Sequence, residues 1–150
     1  MAGILDLVAT LPRREAPVGE LLMEQGCPAS SMLILIEGEV EVLHDQIRVA
    51  RTGEPGAVFG EMSVLLRRHC TASVRTLKPS VFAVVDQPER FLRESSEASL
   101  HVAVLLARRL EALNRYLVDV KTQYEGHDHL GMVDDVLNTL LHQQPRNPAR

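Results

Sequence analysis

A chain of 150 residues fits one domain and is long enough to bury its own core. Its hydrophobic share of 45% is that of an ordinary soluble globular protein, and its net charge of −4 excludes any global attraction to nucleic acid or an anionic membrane. An anion site must therefore be local, and with 3% aromatic residues and no Trp a stacking platform for single-stranded nucleic acid is disfavoured. The two cysteines, Cys27 and Cys70, lie far apart in the chain. Such a pair defines no disulfide framework and alone holds neither an iron–sulfur cluster nor a structural zinc. The opening MAGILDLVATL lacks the basic start of a secretory signal, and no apolar run is long enough to span a bilayer. The expected compartment is the cytosol.

The first segment, Ile4 to Leu11, places Ile4, Leu5, Leu7, Val8 and Leu11 at the spacing of a short amphipathic helix, which Pro12 ends. From about Arg13 to Val85 the pattern is one of short strands broken at Gly19, Gly26 with Pro28, Gly38, Gly53 with Pro55 and Gly56, and Gly60. Glu39-Val40-Glu41-Val42 alternates as a half-buried strand does. Met32 to Ile36 is a continuous apolar run suited to a strand covered on both faces, and Val81 to Val85 closes the region in the same way. Many short strands with frequent turns predict a sandwich or barrel.

Beyond Val85 the periodicity is helical. Pro88 suits the first turn of a short helix through Leu92, and a much longer one begins near Ser96, the expected N-cap, with Glu97 in its first turn. Ala103, Leu106, Leu110, Leu113, Leu117, Val120 and Tyr124 recur alternately three and four residues apart, a heptad seam. Such a stripe either packs on the protein's own barrel or joins two chains. The expectation is a homodimer through Leu106, Leu110, Leu113, Leu117 and Val120. A second stripe, Leu100, Val104 and Ala107, is expected to face the barrel. Gly126 ends the helix, and Leu130, Val133, Leu137, Leu140 and Leu141 fit a last amphipathic helix before the polar tail Gln143–Arg150. The division is thus 1–95 for the strands with their leading helix and 96–150 for the helices and tail.

The stretch with chemical content runs Pro55-Gly56-Ala57-Val58-Phe59-Gly60-Glu61-Met62-Ser63-Val64-Leu65-Leu66, then Arg67-Arg68-His69-Cys70 to Thr71-Ala72-Ser73-Val74. A turn at Pro55-Gly56 delivers the chain to Phe59, and Gly60 removes a side chain where backbone can approach a ligand. Glu61 opens a helical turn, Met62 to Leu66, whose free N–H groups attract an anion. Read from these residues alone, the segment is either a plain connection within the barrel or an anion site.

The order PGAVFGEMSVLL…TASV resembles the phosphate-binding cassette of the cyclic-nucleotide-binding domain family, which includes the catabolite activators and Fnr-like regulators. The resemblance extends upstream through Gly19-Glu20, Glu24-Gln25-Gly26, Leu33–Ile36 and Gly38-Glu39-Val40-Glu41-Val42, and downstream to Val81–Val85 and Phe91. It covers roughly Pro12 to Leu117. It implies a double-stranded β-helix, a jelly-roll-like β-roll flanked by a short N-terminal helix, a long C-terminal helix and one short terminal helix. It also implies cyclic AMP or cyclic GMP as ligand, with no further cofactor. By the same resemblance, Glu61 accepts a hydrogen bond from the ribose 2′-hydroxyl. Phe59, Gly60 and Met62 lie against the sugar-phosphate, and Thr71 and Ala72 offer a hydroxyl and an amide to the phosphate.

One departure is serious. Counted without gaps from Phe59 to Val74, the family's phosphate-binding arginine is Cys70, preceded by His69 in place of proline. A guanidinium grips phosphate bidentately and a neutral thiol does not. The loss is about 1.5–3 kcal/mol, about 10- to 150-fold in affinity. Three readings follow: Arg68 or Arg67 restores the charge from the same loop, the pocket takes a less anionic ligand, or the site is vestigial. On the long helix, Ala107-Arg108-Arg109-Leu110 resembles the catabolite activators, and the base-contacting pair falls on Leu113 and Asn114. Leu113 belongs to the seam, so Asn114 is the candidate for a nucleobase edge.

Other chemistry is thin. His127-Asp128-His129 reads as a polar loop rather than a metal chelate, and the clustered His and Glu spacing of a metal-binding cupin is missing. Ser63 sits in no nucleophile elbow, and Cys70 beside His69 reads as an inert thiol. Regulators of this family usually add a helix-turn-helix domain after the long helix. Here one short helix and a tail without a dense basic face follow Gly126, so direct DNA binding is not expected. The expected protein is a stand-alone, non-enzymatic, dimeric sensor that signals to a partner protein. The alternative is a degenerate domain of the same fold that has lost the nucleotide and acts by protein–protein contact.

Overall fold

The computed structural model describes residues 3–123 and 130–142. Tyr124, Gly126, the His127-Asp128-His129 triplet and the tail from Gln143 lie outside the described residues. The elements run α1 (Ile4–Leu7), β1 (Arg13–Ala16), β2 (Leu21–Met23), β3 (Met32–Glu37), β4 (Val40–His44), β5 (Ile47–Thr52), β6 (Val58–Phe59), α2 (Glu61–Leu66), β7 (Ser73–Thr76), β8 (Ser80–Val85), α3 (Pro88–Glu94), α4 (Ser96–Gln123) and α5 (Leu130–His142). The eight strands form two antiparallel sheets, ordered β1-β8-β3-β6 and β2-β7-β4-β5. This is the expected jelly-roll-like β-roll.

The core lies between the sheets. Ala16, Leu33, Leu35, Phe59 and Phe82 from one sheet close on Val40 and Val74 from the other. Phe59 and Phe82 meet edge to face with centroids 6.4 Å apart. The apolar run in β3 is covered on both faces, with Met32, Leu33, Ile34 and Leu35 all buried. β4 departs from simple alternation. Glu41 points away from the core yet is only 2% exposed, because Arg75 donates to its Oε1 and Arg48 to its Oε2, the latter at 2.7 Å. These guanidiniums, Arg75 first, hold its carboxyl below the usual carboxylate range.

Three expectations at the helices need correction. α1 stops at Leu7 rather than Leu11, because the chain must turn to bring Pro12 beside β8, where Val84 N–H donates to Pro12 O at 2.8 Å. The cap of α4 is Ser95, whose Oγ accepts from Ala98 N–H at 3.2 Å, one residue ahead of the expected Ser96. Leu100 and Val104 do not face the roll: they are 64% and 40% exposed, whereas Ala98 and Val102, one turn apart, are buried. His101 joins that buried face, with its Nε2 2.9 Å from Gly56 O. By contacts the chain separates into two units, Met1–Leu105 and Leu106–Arg150.

Candidate functional site

The cassette is built on a left-handed glycine. β6 ends at Phe59, whose ring is held in the core, and Gly60 follows with φ 90°. A Cβ at Gly60 would lie 2.9 Å from the Met23 methyl and 3.1 Å from Ser31 O, in a conformation that L side chains rarely adopt. Only glycine turns the chain here. Glu61 is thereby set as the first residue of α2 and buried, 5% exposed, rather than turned out to water. Met62, Leu65 and Leu66 remain exposed on the outer side of α2. Arg68 N–H donates to Ser63 O at 3.0 Å, and Ser63 Oγ donates to His69 O at 3.4 Å, folding the loop back over the short helix.

The loop then meets the segment after β2. Gly26 N–H donates to Cys70 O at 2.8 Å, and Cys70 N–H donates to Cys27 O at 2.9 Å. Cys70 is buried and Cys27 exposed. Gln25 ties the same segment to its surroundings: its N–H donates to Ser73 Oγ, and its side chain exchanges two 2.9 Å hydrogen bonds with Asp45 in the β4–β5 turn. Thr71 and Ala72 are half-buried between Cys70 and β7. A cleft of about 330 Å³ is lined by Arg14, Met23, Glu24, Cys27, Ser31 and Cys70 among others, and reaches the cassette only at Cys70. A larger open hollow of about 640 Å³ lies between Val64 and α3.

The two loop arginines are placed differently. Arg67 turns to α3, with its guanidinium 3.5 Å from Glu89, a carboxylate that Arg93 also pairs with at 3.0 Å. Arg93, then Arg67, lowers the pKa of Glu89. Arg68 is exposed and among the described residues has no ion-pair partner. Cys70, which follows in the same loop, is buried and offers no guanidinium to an anion.

The remaining candidates sit in the second unit. Asn114 is half-buried, with Oδ1 buried and without a hydrogen-bond partner among the described residues. Leu110 and Leu113 are exposed, while Leu106, Leu117 and Val120 are half-buried. Among the described residues no three His, Cys, Asp or Glu side chains are grouped as metal ligands, and no helix is long and apolar enough to cross a membrane. Sequence reasoning missed the meeting of Cys27 with Cys70. No periodicity signals a contact between loops 43 residues apart in number; the one local hint is the Gly-Cys pair after Gln25.

The cyclic nucleotide-binding domain model matches residues 13–94. The chain belongs to this family. The domain is 33% identical over 133 residues to Glutaminase 2 of Bradyrhizobium diazoefficiens, covering 83% of this chain and 20% of that protein. It is 29% identical over 126 residues to a putative potassium channel protein of Rhodopseudomonas palustris, covering 80% and 30%. The chain thus spans less than a third of the length of the curated relatives it matches. Among solved structures, the catabolite activator protein of Thermus thermophilus superposes with a TM-score of 0.61 at 23% identity, covering 91% of this chain and 82% of that one. That likeness establishes the shared fold.

Proposed function

We propose that this domain is a non-enzymatic regulatory sensor of a cyclic nucleotide, cyclic AMP or cyclic GMP, acting as a homodimer through α4. Glu61 accepts from the ribose 2′-hydroxyl, Thr71 and Ala72 meet the cyclic phosphate, and Arg68, the guanidinium of the loop that is not engaged with α3, supplies positive charge in place of Cys70. The observation that carries this reading is Glu61 itself: a carboxylate kept buried behind a glycine whose left-handed turn no other residue makes comfortably. α2 packs on α3 and is bridged to it by Arg67 and Glu89, which supports transmission. Ligand in the cassette shifts the population of positions available to the helices that follow, and a partner protein reads the shift.

Calorimetry with cyclic AMP and with cyclic GMP, on the parent and a Glu61→Ala variant, tests the reading. Binding is expected for at least one nucleotide and is expected to weaken about 10- to 150-fold in the variant, the value of one charge-assisted hydrogen bond. No heat at millimolar concentrations of either nucleotide overturns it and leaves the protein-interaction module, the reading that the buried Cys70 favours.

A further inference from the structure

The structure assigns Cys27 and Cys70 a shared role: they are a reversible dithiol/disulfide pair that hydrogen peroxide closes, locking the far end of the cassette to the loop after β2.

The backbone already holds the two residues face to face. Gly26, with φ 85°, donates to Cys70 O, while Cys70 donates to Cys27 O. A left-handed glycine followed by a second residue, both opposed to one residue of the facing strand, is a G1 bulge. The two backbone hydrogen bonds have the pattern of such a bulge, with Cys27 as the second residue and Cys70 opposite it, in the loops that continue β2 and lead into β7. Opposed residues of an antiparallel pair stand about 4.5–5.5 Å apart at Cα, within the range of about 4.4–6.8 Å that a disulfide spans. Their side chains share a surface, since both line the same cleft. Closure therefore needs rotation about side-chain bonds and little movement of the backbone.

The chemistry divides between an exposed and a buried sulfur. Cys27, reached from solvent, attacks the peroxide O–O bond as thiolate, giving a sulfenic acid and releasing one water once the proton is taken up. The Cys70 sulfur then displaces the hydroxyl of that sulfenic acid, forming the S–S bond and releasing a second water. Each cysteine loses one hydrogen, the pair is oxidised by two electrons, and the peroxide is reduced to water. Glu24, 3.5 Å from Cys27 Sγ, accepts a hydrogen bond from the thiol and, ahead of desolvation, raises its pKa, which lowers the thiolate fraction and slows the attack on peroxide. Any thiol reductant reopens the bridge.

The consequence falls on the candidate site. Thr71 and Ala72 follow Cys70 directly, so the bridge fixes the segment expected to meet the phosphate. That effect rests on the nucleotide reading; the covalent step does not.

The full chain is reduced, treated with hydrogen peroxide, and followed by intact mass, thiol counting and peptide mapping. The expected result is loss of two hydrogens, both thiols consumed, and one cross-linked peptide joining Cys27 to Cys70 in a species of unchanged sedimentation. Closing a loop of roughly 40 residues is expected to raise the melting temperature by about 10 °C, reversed by dithiothreitol. Cys27→Ser, an exposed substitution that leaves the core intact, and Cys70→Ala should each abolish the rise. Overoxidation of Cys27 with Cys70 left as thiol, or disulfides only between chains, would overturn the proposal. Cyclic AMP and cyclic GMP titrations of the reduced and oxidised parent separate the two readings. A several-fold difference in affinity places the switch on the nucleotide site, whereas a bridge that forms in a chain binding neither nucleotide removes the sensor reading alone.

Discussion

In the roll, Leu33, Leu35, Val40, Val74 and Phe82 are shut away from water between the sheets, and several polar groups that go under with them have partners. Glu41 is held by Arg75 and Arg48, and Thr76 Oγ1 accepts from Glu20 N–H at 2.9 Å while donating to Pro17 O. Along α4 beyond Leu105 the apolar side chains fare differently: Leu110, Leu113, Tyr116 and Val118 are between 44% and 64% exposed. The space between the sheets is filled by the roll's own side chains, although Ile47 and Val49 on β5 are 67% and 60% exposed. The far part of α4 thus carries apolar surface that would gain from being covered, and the proposed homodimer is one way to cover it. One continuous helix therefore serves two ends, since Ala98, His101 and Val102 belong with the roll.

This contrast is testable at both ends of the helix. The largest effect is expected at the start of α4, where Val102→Asp puts a charge among buried groups and should cost about 3–4 kcal/mol, read as a fall in the urea midpoint. A change within 0.5 kcal/mol would mean that the start of α4 is no part of the roll's core. A smaller effect is expected in acid. Because Glu41 has a depressed folded pKa, its contribution is fully present above its unfolded pKa of about 4.3 and is lost as pH falls through the folded value. Thermal melts from about pH 7 to about pH 3 should therefore fall less steeply for Glu41→Gln than for the parent; equal acid limbs would show that the arginines do not hold it. The smallest effect on folding is expected from Leu110→Asp with Leu117→Asp, within about 0.5 kcal/mol for the isolated chain. The same pair should convert a sedimenting dimer to monomer. A parent that already sediments as monomer removes the seam proposal.

Much of this architecture was legible in the residue order, because hydrophobic period and turn chemistry are local properties. The strands from Arg13 to Val85, the unbroken apolar run of β3, the helix opening at Pro88 and the Gly60-Glu61 corner could all be placed without coordinates. The helix stripe could not. Leu100 and Val104 have the apolar character and Ala98 is smaller, yet the close approach of α4 beside Gly56, where His101 also lands, selects the smaller face.

By itself the sequence determined that short strands would fill the region from Arg13 to Val85 with helices after it, and that a glycine-glutamate corner would stand before a short helical turn. Burial and pairing across long separations were decided by the tertiary structure. It put the carboxylate of Glu41 beneath two guanidiniums, turned Arg67 toward α3, and set Cys70 opposite Cys27. The physical reason is that a residue's period along the chain is a short-range property, whereas its neighbours across a sheet or bulge depend on how distant segments register, which no local pattern encodes.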